Sequence, residues 1–221
     1  CMPRKERTAR LTEGVQLIQQ LWTEPPVTFE GKFTRVKDMT LSPMPVQQPH
    51  VPLWIGARTE KATRRVARLG CHLMATFGLD PAPWYIDELQ KLGHNPMDFN
   101  IAQLRTVYIA DSEDQAWEDI QEYAFSMMEF YGDIVQEAKD VPGDEKFWTP
   151  KKPQDLRDAA YGQSAMIGTV DQVARKLEQF CQDFQCTHFV MSTQLPGLDI
   201  QKANRSLEIF AKEVMLHFRE A

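Results

Sequence analysis

Apolar residues recur at two different periods along the chain, and the alternation between them is the first guide to its architecture. From Thr8 to Thr23, Leu11, Val15, Ile18 and Trp22 are spaced by four, three and four, which predicts a helix with one buried stripe. Pro25 and Pro26 end it. Val27, Phe29, Phe33, Val36 and Leu41 then surround Gly31 as short extended pieces about a turn. Pro43, Pro45, Pro49 and Pro52 hold an extended approach to Leu53, Trp54 and Ile55, a short apolar run suited to a buried parallel strand. A helix follows and is stopped by Gly70.

The same alternation continues to the end. Cys71 to Thr76 reads as a strand, Gly78 to Pro83 as a loop, and Trp84, Ile86, Leu89 and Leu92 as a helix closed by Gly93 and Pro96. Ile101 to Ala110 is the third strand. Asp111 or Ser112 caps a long helix with the stripe Ala116, Ile120, Ala124, Met127, Met128 and Tyr131, in which the methionines serve as core filler. Residues 132–165 break the rhythm with charges and with Pro142-Gly143, Pro150 and Pro153, as an insertion or lid would. After Ile167-Gly168, Thr169 and Gln172 form a capping-box pattern before Val173, Leu177, Phe180 and Phe184. His188 to Ser192 is the fourth strand, and Asp199 caps a last helix carrying Ala203, Leu207, Phe210, Val214 and Phe218. Strands alternating with helices predict an α/β fold with parallel strands and right-handed crossovers. Four such strands make half of an eight-stranded barrel or most of a small open sheet, and 221 residues fall short of the roughly 250 of a complete barrel.

The chemistry concentrates where the first of these strands meets its helix. Thr59 is placed to cap the helix, whose first N–H groups lack carbonyl partners at the positive end of the dipole. Arg58 stands beside them, so the turn suits a phosphate, although a plain strand-to-helix connection has the same local pattern.

Composition narrows the function classes without naming one. Apolar residues at 43% and charged residues at 25% are globular values, and a net charge of -6 with scattered basic residues argues against a nucleic-acid partner. No run of about 18 apolar residues predicts a membrane span. The four cysteines, Cys1, Cys71, Cys181 and Cys186, have the uneven spacing of reduced cytoplasmic thiols, and with five dispersed histidines they predict no metal site. A start at Cys1-Met2, entering a helix within ten residues, reads as the continuation of something longer or as a truncated gene. The chain is otherwise expected to be a single domain over 1–221.

Several stretches together resemble one family. RTARLTEGVQLIQQLW (7–22), VTFEGKF (27–33), the proline-spaced approach to PLWIGA, MIGTVDQVARKLEQF (166–180) and SLEIFAKEVM (206–215) are similar, in order, to the bacterial luciferase-like flavin-dependent monooxygenases. The resemblance implies a (β/α)8 TIM-type barrel of which this chain supplies roughly strands five to eight. It implies reduced FMN as cofactor, with the deazaflavin F420 as the alternative, and a separate flavin reductase, a small-molecule substrate and a homodimer. It places the flavin phosphate against Gly56, Ala57, Arg58 and Thr59, with Thr63 as a helper, and makes Phe147, Trp148 and Tyr161 candidate substrate contacts in the insertion. Those three aromatics would equally well pin the insertion to the barrel. No catalytic acid or base is implied. His72, on the second strand of the chain, is weighed as facing the ring or as an ordinary packed histidine. The remaining alternatives are a non-catalytic flavin-binding or half-barrel relative, and an open nucleotide-binding sheet that lacks the usual GxGxxG pattern.

Overall fold

The computed structural model describes residues 4–75, 80–138 and 150–218. Five short parallel strands form its main sheet: β3 (Trp54–Gly56), β4 (His72–Ala75), β5 (Ile101–Ile109), β6 (Met166–Gly168) and β7 (His188–Ser192). β3, β4 and β5 are neighbours in that order. Ala102 and Gln103 pair with Met74 and Ala75 of β4 and also with His188 and Phe189 of β7, so β5 lies between the two. Beyond Thr106 its ladder passes to β6, through Val107↔Met166 and Ile109↔Gly168. The expected alternation of strand and helix is present, with β6 added. Three residues are too short to display a period, which is why Ile167-Gly168 reads in the sequence only as a lead into the next helix.

The helices follow their strands as the apolar pattern requires. α2 (Glu60–Arg68) and α3 (Ala82–Lys91) set Val66, Ala67, Tyr85 and Leu89 against Leu73 of β4 and Ile101 of β5. α6 (Val170–Asp183), started by the Thr169–Gln172 capping box, packs Val173, Leu177 and Phe180 on Val107 and Ile109. α4 (Glu113–Ala138) covers Tyr108 with Trp117, Ile120 and Met128, and it continues in regular helix across Gly132 to Ala138. The short α5 (Ala160–Ser164) contributes Tyr161 to that cluster, and α7 (Ile200–Ile209) is tied to β5 by the Ile109 amide, which donates to Ser206 Oγ at 2.8 Å. Among the described residues no helix is long and apolar enough to cross a membrane.

Before the sheet comes α1 (Arg4–Thr23) and an antiparallel hairpin of β1 (Val27–Glu30) and β2 (Arg35–Met39). The buried face of α1 differs from the expected stripe. Val15, Leu17 and Leu21 are buried while Leu11 and Ile18 are exposed, because the helix touches two partners at once. Leu17 and Leu21 meet Val27, Phe29 and Val36 of the hairpin, whereas Val15 joins the α2–α3 cluster. One carboxylate fastens the hairpin to this helix. Glu13 accepts from the backbone amides of Phe33 (2.9 Å) and Thr34 (2.6 Å), and those amides hold it below the usual carboxylate range against the opposing effect of burial, the largest single influence. A side chain at Gly31 would run into that carboxylate and the Phe29 ring.

Candidate functional site

β3 and α2 build the candidate site between them. The ladder continues one residue past the strand, the Ala57 amide donating to Met74 O at 3.2 Å, so the chain leaves the sheet in a fixed direction. Thr59 then caps α2: its Oγ1 accepts from the Ala62 amide at 3.3 Å, and its carbonyl accepts from the Thr63 amide at 2.9 Å. The first amides of the helix, at Glu60 and Lys61, have no carbonyl within it to bond. Glu60, whose carboxylate would otherwise compete for them, is turned along the helix to Arg64.

Gly56, Ala57, Arg58, Thr59 and Thr63 therefore come together at one place. Gly56 is exposed, and a Cβ built there meets nothing within 4 Å among the described residues. Ala57 is buried and its N–H is already engaged in the ladder, which leaves it a packing role. Arg58 flanks the turn, half-buried. Thr63 is fully buried, and its hydroxyl has no hydrogen-bond partner among the described residues. A buried hydroxyl without a partner costs on the order of 1–3 kcal/mol. Two basic residues of α2 are committed elsewhere. Arg64 binds Glu60, Asp87 and Glu88, which hold its guanidinium firmly charged, and Arg68 binds Glu88.

His72 lies at the opposite end of the strands. It opens β4, paired with Trp54, while Gly56 pairs with Met74 two residues further along. Its Nδ1 accepts from the Asn100 amide at 3.0 Å, and its ring is 4.9 Å from that of Trp54, itself 5.2 Å from His188. Burial lowers its pKa, with smaller contributions from His188 and His50. These contacts make His72 a packed histidine.

Of the candidate substrate contacts, Phe147 and Trp148 lie outside the described residues. Tyr161 is fully buried, its hydroxyl 3.0 Å from Thr106 Oγ1 on β5. Two polar residues of β5 escaped the sequence reading. Thr106 anchors Tyr161, and buried Gln103 donates from Nε2 to Asp80 at 3.1 Å while its Oε1 has no partner among the described residues. Asp80 also accepts from the Ala82 amide at the start of α3, at 3.0 Å, and burial raises its pKa from the ordinary carboxylate value. The available signal was the polar run Gln103, Arg105 and Thr106 inside an otherwise apolar strand.

Comparison with known proteins finds relatives of the chain as a whole. The family model described as luciferase-like monooxygenase matches residues 2–186. The oxygenase component of a flavin-dependent trigonelline monooxygenase from Acinetobacter baylyi is 28% identical over 242 aligned positions, covering 96% of this chain and 61% of the relative. An F420-dependent glucose-6-phosphate dehydrogenase from Nakamurella multipartita is 32% identical over 127 positions, covering 54% of this chain and 37% of the relative. Among solved structures, the monooxygenase RslO1 from Streptomyces bottropensis superposes with a TM-score of 0.74 at 21% identity, covering 98% of this chain and 63% of that one. The chain thus spans less than two thirds of the length of these relatives.

Proposed function

The chain belongs to the luciferase-like monooxygenase family, and on that premise we propose that it supplies the phosphate-binding part of a flavin-dependent monooxygenase acting on a small organic substrate. The fold is part of that family's TIM-type barrel, and barrel enzymes place their sites at the C-terminal ends of the strands, where Gly56 and Thr59 stand. The observation that carries the reading is the Thr63 hydroxyl, buried and without a partner among the described residues behind an N-capped helix. In this reading the Glu60 and Lys61 amides and the Thr63 and Thr59 side chains hold the phosphate of reduced FMN. Arg58 adds charge, Gly56 gives the clearance, and Ala57 fixes the turn to β4. When bound, the flavin supplies the oxygen-activating chemistry; the chain orients it and excludes water.

Phe147, Trp148 and Tyr161 are proposed to border the substrate in the segment 132–165. Tyr161 does so from an anchored position on Thr106. A flavin reductase as partner belongs to the same proposal, supported by the trigonelline relative being the oxygenase component of its system, and the proposal includes a homodimer and a cytoplasmic setting.

A second reading keeps the turn and changes the cofactor to F420, in line with the dehydrogenase relative. Equilibrium binding of reduced FMN and of F420 without oxygen, in the full-length protein, tests both. Losing the Thr63 hydroxyl by Thr63→Val should weaken the true cofactor about tenfold, a loss of about 1.4 kcal/mol. Unchanged affinity for both cofactors would remove the phosphate reading. Oxygen admitted afterwards should be consumed with the FMN complex and not with the F420 complex.

A further inference from the structure

Gly56 and Gln103 flank the last two residues of β4, Gly56 paired with Met74 and Gln103 with Ala75. At two strand spacings, their backbones are about 10 Å apart across the strand end. Asp80, on the segment that joins β4 to α3, is bonded to Gln103 at this same end and is partly exposed. Its carboxyl is engaged on one side only. Oδ1 accepts both from the Ala82 amide at 3.0 Å and from Gln103 Nε2 at 3.1 Å, and nothing among the described residues donates to Oδ2. Starting α3 needs only the Ala82 bond. The fully buried Gln103 is a further constraint, and its own Oε1 has no partner among the described residues.

Resting on the reading that the Gly56 turn holds a flavin phosphate, we propose that Asp80 is the proton-exchanging carboxyl of this site, positioned by Gln103, and that the substrate carries a hydrogen-bond acceptor beside an N–H or O–H. Two N–H donors occupy Oδ1, so a proton rides on Oδ2. An acceptor atom of the substrate meets Oδ2–H, and the neighbouring N–H or O–H meets Gln103 Oε1, which can only accept. As negative charge builds on that acceptor atom, the Oδ2–H bond breaks and the proton forms a new O–H or N–H bond on the substrate. The carboxylate left behind takes a proton from solvent.

The surroundings suit a carboxyl that changes charge. Burial raises Asp80 from the ordinary carboxylate value, while the Ala82 amide, Gln103 and the Arg105 guanidinium oppose the rise. Two described groups that carry or exchange charge face it. Arg105, on β5 two residues after Gln103, is buried against the rings of Phe180 and Phe184. Cys186, before β7, stays a neutral thiol, since burial pushes it up to about 11.

The test is a carbon-13 NMR titration of the aspartate carboxyls in the full-length protein, with Asp80 assigned by Asp80→Asn and reduced-FMN binding measured alongside. Asp80 should titrate above the value of about 3.9 usual for an aspartate. Gln103→Met, which keeps the bulk and removes the hydrogen-bond donor, should move the midpoint up by about one further pH unit. Acetamide, a probe with an acceptor beside an N–H, should bond the protonated form and raise the midpoint in the unmodified protein, an arm that needs no change at Gln103. The proposal is overturned if Asp80 titrates at or below the usual value, or if either Gln103→Met or acetamide leaves its midpoint in place. Absence of reduced-FMN binding would remove the phosphate reading and this one with it, whereas FMN binding beside an ordinary, unresponsive Asp80 removes this one alone.

Discussion

The two ends of the β3–β4 pair are built from the same ladder and treat their polar atoms in opposite ways. Where Trp54 faces His72, the two rings meet at a tilt and the imidazole accepts a backbone amide. Where Gly56 faces Met74, a Cβ added at the strand end would meet nothing within 4 Å among the described residues, and a buried threonine hydroxyl has no partner among them. The first end serves stability. The second holds unspent hydrogen-bonding capacity, which is destabilising in itself and which the proposed phosphate would use.

Four measurements would break or sharpen that contrast. Trp54→Ala should cost about 2 kcal/mol of unfolding free energy, read by denaturant titration, because it removes a partly buried aromatic whose ring meets those of His72 and His188. Cofactor affinity measured on the folded fraction should stay the same; a parallel loss would mean that the ends are not separable. Thr63→Val should act the other way round, weakening cofactor binding about tenfold while leaving the unliganded protein as stable or about 1 kcal/mol more stable. A destabilised Thr63→Val variant would show that the hydroxyl has a structural partner.

Thr59→Ala removes the cap on α2 and should cost about 1 kcal/mol, with weaker binding as well, since the cap shapes the turn. The smallest effect concerns pH. His72 is held below its ordinary value in the folded state, mainly by burial, so the unfolded chain takes up its proton first as pH falls. Its contribution is complete above about 6.5 and is lost progressively as pH falls below that, through the lowered folded value. Melting temperatures between about pH 5 and 7.5 should show a shallow slope that His72→Gln flattens. An unchanged slope would assign the effect to other groups.

Much of this could be read from the sequence because it is local. Thr59 before a helical stripe and the Thr169–Gln172 box are caps whose partners lie three residues away, and the structure forms both. The parallel alternation was equally visible, and the relatives share it. What escaped depends on distance along the chain or on brevity. Tyr161 meets Thr106 across 55 residues, and nothing in either neighbourhood announces the other. β6 has three residues, fewer than two strand periods. The buried face of α1 departs from a single stripe because two partners divide the helix, Leu17 with Leu21 on one side and Val15 on the other. That the Thr63 hydroxyl has no partner among the described residues is likewise invisible in sequence, since it concerns what fails to approach.

Glu13 and Gly31 bear on how this chain can vary. The carboxylate that grips the Phe33 and Thr34 amides occupies the space a side chain at 31 would need, so the two positions, eighteen residues apart, form one choice. A change at either alone is penalised, by a clash in one direction and by two amides left to water in the other. Natural variants of this segment should therefore keep both residues or exchange them together, and a chain carrying one without the other should have re-routed its hairpin.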